Sequence, residues 1–108
     1  MEKYEKEFKN IVDYASLNKV NKIVFQERDS GSKIMMAKQG NLYIYNDSYE
    51  KDHIRQIFKS IYEKCTTQKF NETELHCLRN NINFNGLNLE YFLFQVYPNG
   101  FDVNLTFI

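Results

Sequence analysis

The sequence predicts an α+β domain in which two helices pack on one face of an antiparallel sheet of about six strands. Three observations support this. Two stretches, 2–18 and 49–65, repeat their apolar residues every three or four positions, the spacing of an amphipathic helix. Elsewhere, short runs rich in β-branched and aromatic residues alternate or cluster over strand-like lengths. Turn signals containing Gly, Asn or Asp separate those runs at hairpin spacing.

In the first helix Tyr4, Phe8, Ile11, Val12 and Ala15 share a face, Lys and Glu fill the other, and Asn18-Lys19 ends it. Lys22 to Arg28 reads as a strand with Ile23 and Phe25 on one side. Asp29-Ser30-Gly31-Ser32 turns the chain into a strand from Lys33 to Lys38. Gly40-Asn41 turns it again into Leu42 to Tyr45, closing a three-stranded meander over 22–45. In the second helix Ile54, Ile57, Phe58, Ile61, Tyr62 and Cys65 form the stripe of a helix lying on a sheet. Asp47 is the expected cap with Glu50 at N3, and Lys59 and Lys64 suit the C-terminal half. The polar stretch Thr66 to Thr73 is a loop. Strands follow at 75–84, where Asn80 and Asn81 predict a bulge or break, at 87–97 and at 101–107. Asn85-Gly86 suits a type I′ turn, and Pro98-Asn99-Gly100 a type I turn closed by a left-handed Gly. The last strand alternates Phe101, Val103, Leu105 and Phe107 with Asp102, Asn104 and Thr106. The expected order is α-β-β-β-α-β-β-β in a single domain, 1–108.

Composition narrows the function. Fourteen basic residues balance fourteen acidic ones. A dedicated nucleic-acid binder needs net positive potential to displace counterions, so charge disfavours that class. The arginines are Arg28, Arg55 and Arg79, few candidates for bidentate phosphate recognition. No apolar run is long enough to span a bilayer, and the charged start MEKYEKEFKN is unlike a signal peptide, so the expected location is the cytoplasm, with Cys65 and Cys77 as free thiols. The four glycines are isolated turn residues and no GxxxxGK[ST] loop occurs.

His76 and Cys77 adjoin but would point to opposite faces of a strand, which disfavours a metal site; no cofactor is implied. His53 is expected to be a solvated surface residue. Glu27, Asp29, Asp47, Glu50 and Asp52 flank turns and a helix start, where capping and solvation explain them. Tyr43, Tyr45, Tyr91, Phe92 and Phe94 could stack bases on a sheet. Core packing is the preferred reading, since no basic residue interleaves with them in sequence. No catalytic constellation is visible, and the chain is expected not to be an enzyme.

Several phrases follow a known pattern. Asn21-Lys22-Ile23-Val24-Phe25-Gln26-Glu27 stands where an opening S-D-I-H-F/I-E phrase would fall, and Lys38-Gln39-Gly40-Asn41-Leu42 where a strand-pair turn would. Asn85 to Phe92 and Phe101 to Ile108 take the closing hairpin. From Val20 to Ile108 the chain resembles the N-terminal, PAS-like domain of the traffic ATPases that power type II secretion and type IV pili. In that family, arginines of this domain help stabilise nucleotide phosphates at a subunit border. Here Lys22 and Val24 replace the family's Asp and His, and Glu90, Phe92 and Thr106 replace its arginines, so the resemblance implies a scaffold kept for protein contacts. The candidate interaction surface is Tyr43, Tyr45, Glu90, Phe92 and Thr106. The expected partner is a protein, such as an ATPase subunit or an inner-membrane platform protein, with no membrane insertion by the chain itself. The alternative is a free-standing partner-binding protein or chaperone acting as a dimer.

Overall fold

The computed structural model describes residues 2–65, 77–95 and 100–108. Helix α1 (Glu2–Leu17) precedes strands β1 (Lys22–Arg28), β2 (Ser32–Lys38) and β3 (Asn41–Tyr49). Helix α2 (Lys51–Cys65) follows, then strands β4 (Cys77–Phe84), β5 (Leu87–Gln95) and β6 (Gly100–Phe107). The order is the expected α-β-β-β-α-β-β-β. All six strands form one sheet, β3-β2-β1-β6-β5-β4, and every neighbouring pair is antiparallel.

The chain route explains this order. β1, β2 and β3 step outward from the centre of the sheet. α2 then crosses one face, touching β1, β2 and β4. β4, β5 and β6 step back inward until β6 lies against β1, with Ile23 opposite Leu105 and Phe25 opposite Val103. The apolar stripes of both helices bury against that one face. Phe8, Ile11, Val12 and Ala15 of α1 and Ile54, Ile57, Phe58, Ile61 and Tyr62 of α2 share one core with Ile23, Phe25, Ile34, Met36, Leu89, Tyr91, Leu93, Val103 and Leu105.

Helix α1 stops as the sequence predicts, through a Schellman arrangement. Lys19 is left-handed (φ 56°), Val20 N–H donates to Ala15 O (2.9 Å) and Lys19 N–H to Ser16 O (3.2 Å). Val20 is thereby turned into the core. The Asn85-Gly86 turn is of type I′, with φ of 51° and 82°. The same geometry occurs at Gln39-Gly40 (52° and 80°), one residue before the expected Gly40-Asn41, because Asn41 already pairs with Lys38.

Three other expectations are corrected. β3 continues past Tyr45 to Tyr49, so Asp47 lies inside a strand and does not cap α2. The helix instead begins at Lys51, with Ile54 N–H donating to Glu50 O (3.2 Å) and Asp52 in its first turn. The register shifts twice, between Ser32 and Ile34 and between Ile34 and Met35, and these irregularities give β3 two extra residues against β2. β4 runs unbroken through Asn80 and Asn81, from Cys77 opposite Phe94 to Phe84 opposite Leu87. It is an edge strand, where only one side of the ladder must be made. Asn80 Oδ1 accepts the Asn81 N–H (2.9 Å), so a side chain satisfies that backbone donor. The loop at 66–73, strand positions 75, 76, 96 and 97, His76, Pro98-Asn99 and the Cys65 and Cys77 side chains lie outside the described residues.

Candidate functional site

Helices cover one face of the sheet; no described helix packs on the other, where Val24 and Met35 at the centre are nevertheless buried. Side chains alternate along a strand, so the residues between the core positions all point to this second face. Its central row crosses the sheet from edge to edge. Ile44 on β3 pairs with Met35 on β2, Met35 with Val24 on β1, Val24 with Asn104 on β6, Asn104 with Phe92 on β5, and Phe92 with Arg79 on β4. Val24 and Met35 retain 9% exposure, whereas Ile44 is 53% and its neighbour Leu42 59% exposed. Phe94 lies beside Phe92, ring centroids 4.9 Å apart, and the Arg79 guanidinium sits 4.3 Å from the Phe92 centroid. A basic group therefore does accompany these aromatics, contrary to the sequence reading.

The five candidate surface residues divide between the two faces. Tyr43 and Tyr45 lie on the helix side, packed against the core; Tyr43 approaches the Met36 sulfur (3.7 Å) and Tyr45 the Tyr14 ring (4.9 Å). Desolvation, and then the Tyr14 hydroxyl, hold the Tyr43 phenol above its usual range. Glu90, Phe92 and Thr106 lie on the open face, where Glu90 and Thr106 are cross-strand partners. Tyr91 is fully buried and its hydroxyl donates to Phe58 O (3.1 Å), as the core-packing reading expected.

Sequence reading did not find Val24, Met35 and Ile44. A signal was present: Ile23-Val24-Phe25 and Ile34-Met35-Met36 are unbroken apolar runs, and a strand apolar at consecutive positions has apolar side chains on both faces.

Two polar clusters sit elsewhere, and both correct the sequence reading. Glu27 is not solvated but 0% exposed, and Arg55 of α2 grips it with Nε–H to Oε2 (2.6 Å) and Nη2–H to Oε1 (2.5 Å) while lying over the Phe101 ring. Beside it, Arg28 Nη1 donates to Glu27 O and Phe101 O. Arg28 Nη2 lies 2.7 Å from Asp102 Oδ1, an ion pair without the alignment of a hydrogen bond. Asp29 is bonded by Lys51 (2.5 Å), which raises the lysine pKa. His53 is half-buried rather than solvated. Its Nε2 is 2.9 and 2.8 Å from the two Glu7 carboxylate oxygens, and Tyr4 and Tyr49 flank its ring. Burial and the Glu7 carboxylate push the Tyr49 hydroxyl up to about 12.

These clusters tie α1 and α2 to each other and to the sheet. Each of the three arginines is held by a carboxylate or a ring of the same chain. Among the described residues no group of three or more His, Cys, Asp or Glu could hold a metal ion, and no helix is long and apolar enough to cross a membrane. No protein-family model and no curated protein matches the chain.

Proposed function

We propose that this chain is a non-enzymatic, cytoplasmic protein-interaction module that meets its partner through the sheet face on which no described helix packs, at its exposed Leu42 and Ile44 edge. One observation carries the reading: helices bury one side of the sheet, while a row containing Ile44, Met35, Val24 and Phe92 crosses the other. Sheets with apolar side chains on both faces are stable when both faces are covered, and a partner supplies the second cover. The resemblance to secretion and pilus ATPase N-terminal domains makes the partner an ATPase subunit or an inner-membrane platform protein. Glu90, Phe92 and Thr106, which stand where that family carries arginines, share that face, and their side chains suit protein contact rather than phosphate binding.

The test is affinity capture from the native host with the wild-type chain and with Ile44→Lys, followed by mass spectrometry. A hexameric ATPase or a platform protein should be retained by the wild type and lost by the variant. Recovery of neither, or equal recovery by both chains, overturns the reading. A second reading rests on the two open sheet edges, β3 and β4, the first of which exposes Leu42 and Ile44: self-association by strand pairing. Sedimentation at increasing concentration tests it, and a chain that stays monomeric removes it.

A further inference from the structure

We infer that β3 pairs antiparallel with β3 of a second copy of this chain, about a twofold axis at Tyr43, joining two sheets into one. This rests on the strand-pairing reading and names its edge, its partner and its register.

The two edges of the sheet differ. The Asn85-Gly86 turn makes Phe84 and Leu87 a hydrogen-bonded pair, so by alternation Asn83, Asn81 and Arg79 turn their backbone groups to the outer side of β4. There the Asn81 N–H is already taken by Asn80 Oδ1, and Arg79 adds an exposed charge. Both oppose the addition of another strand.

At the other edge the Gln39-Gly40 turn bonds Lys38 to Asn41, so Leu42 and Ile44 turn their N–H and C=O outward. The Ala37 carbonyl, opposite Leu42, points away toward β1 and accepts the Asn21 N–H (2.8 Å). Among the described residues, no hydrogen bond reaches the outer side of Leu42 or Ile44. Residues 41–45 contain no charge and no proline. The apolar surface gathers at the same border. Tyr14, Leu17, Leu42 and Ile44 are the exposed large apolar side chains of the described residues, apart from Ile108. Tyr14 packs on Tyr45 of β3 (4.9 Å), and Leu17 follows three positions later on that side of α1.

The register follows from these outward groups. Both outward residues of each copy are bonded when Leu42 meets Ile44 of the second copy, which places Tyr43 on the axis. An axis at Leu42 would set Ile44 against Gly40 in the turn. An axis at Ile44 would draw in Asn46, beyond the register shift that follows Ile44. With the axis at Tyr43, the two Tyr43 rings form a close cross-strand aromatic pair on the helix side, and no like charges meet. On the other face, Leu42 and Ile44 of both copies form one apolar patch, still open to a further protein. A β3-to-β3 contact closes as a dimer bounded by two polar β4 edges, whereas β3 on β4 would add copies without end.

Sedimentation equilibrium of the full chain over a wide concentration range should show a reversible monomer–dimer equilibrium and nothing larger. Ile44→Pro removes an outward N–H at an edge position and keeps an apolar side chain; it should raise the dimer dissociation constant about tenfold or more. In a chain carrying Cys65→Ser and Cys77→Ser, oxidation of Tyr43→Cys should give a disulfide-linked dimer, and Asn81→Cys on β4 should give none. The trapping pair decides alone if Ile44→Pro does not fold. A dimer that survives Ile44→Pro, or that is not trapped at Tyr43→Cys, overturns the inference and leaves self-association in place. Trapping at Asn81→Cys, or assemblies that keep growing with concentration, do the same. A chain that is monomeric throughout and never trapped overturns both this inference and the strand-pairing reading.

Discussion

Gly100 opens β6 opposite Arg28, with φ at 145°. A β-carbon there would overlap the Glu27 carbonyl oxygen and press on the Arg28 side chain, so Gly100 lets the buried Glu27 strand and the Arg28 fork close over β6. Gly100→Ala should destabilise by about 1–3 kcal/mol in urea unfolding, whereas Gly86→Ala, with open space around it, should cost about 1 kcal/mol for its positive φ alone. Glu27 and Arg55 form a buried ion pair. Glu27→Leu alone removes the carboxylate fork from a largely buried guanidinium and should cost about 3–5 kcal/mol. Combining it with Arg55→Met should recover most of that loss, and a double variant no better than the single would show that the arginine has another essential contact. Tyr49 has its own pH signature. Its folded pKa, about 12, lies above the ordinary phenol value of 10.0, so below pH 10 its contribution to stability is fully present. From pH 10 to 12 the unfolded chain loses the proton and the native one retains it, so stability falls as pH rises. Tyr49→Phe should flatten that alkaline decline, read as urea midpoints from pH 9 to 12.

At the level of elements, both helices were legible because a 3.6-residue period is a local property: Phe8, Ile11, Val12 and Ala15 of the first stripe and Ile54, Ile57, Phe58, Ile61 and Tyr62 of the second are buried, with Tyr4 partly so. The end of β3 was not legible. Two register shifts interrupt regular pairing here: the sequence ends the strand at Tyr45, begins the helix at 49 and offers Asp47 as its cap, whereas the two extra residues together keep Tyr49 on the helix side with Tyr43 and Tyr45, beside His53. The Glu7–His53 contact is the corresponding link between α1 and α2, and neither partner betrays it locally, since they are 46 positions apart. A double-mutant cycle of Glu7→Gln and His53→Ala should show a coupling of about 0.5–1 kcal/mol, the upper range for a half-exposed pair. Additive single effects would mean that the contact contributes nothing to joining the helices.

For the whole molecule, the distinction that matters is between the two faces of the sheet. Ile44→Lys together with Leu42→Lys changes only exposed edge positions and should leave the urea midpoint within ~0.5 kcal/mol while raising solubility. A large loss of stability would mean that the second face is closed within the monomer. The sequence by itself determined the two helices, the number and order of strands, and the tight turn at Asn85-Gly86, because period, propensity and turn chemistry act over a few residues. Only the tertiary structure decided that β6 returns to pair with β1, which face the helices cover, and that Glu27 meets Arg55 from 28 positions away. It also separated Tyr43 and Tyr45 from Glu90, Phe92 and Thr106, setting them on opposite sides of one sheet. The physical reason is that burial and pairing depend on which surfaces the folded chain brings together, and a residue carries no local record of its distant neighbours.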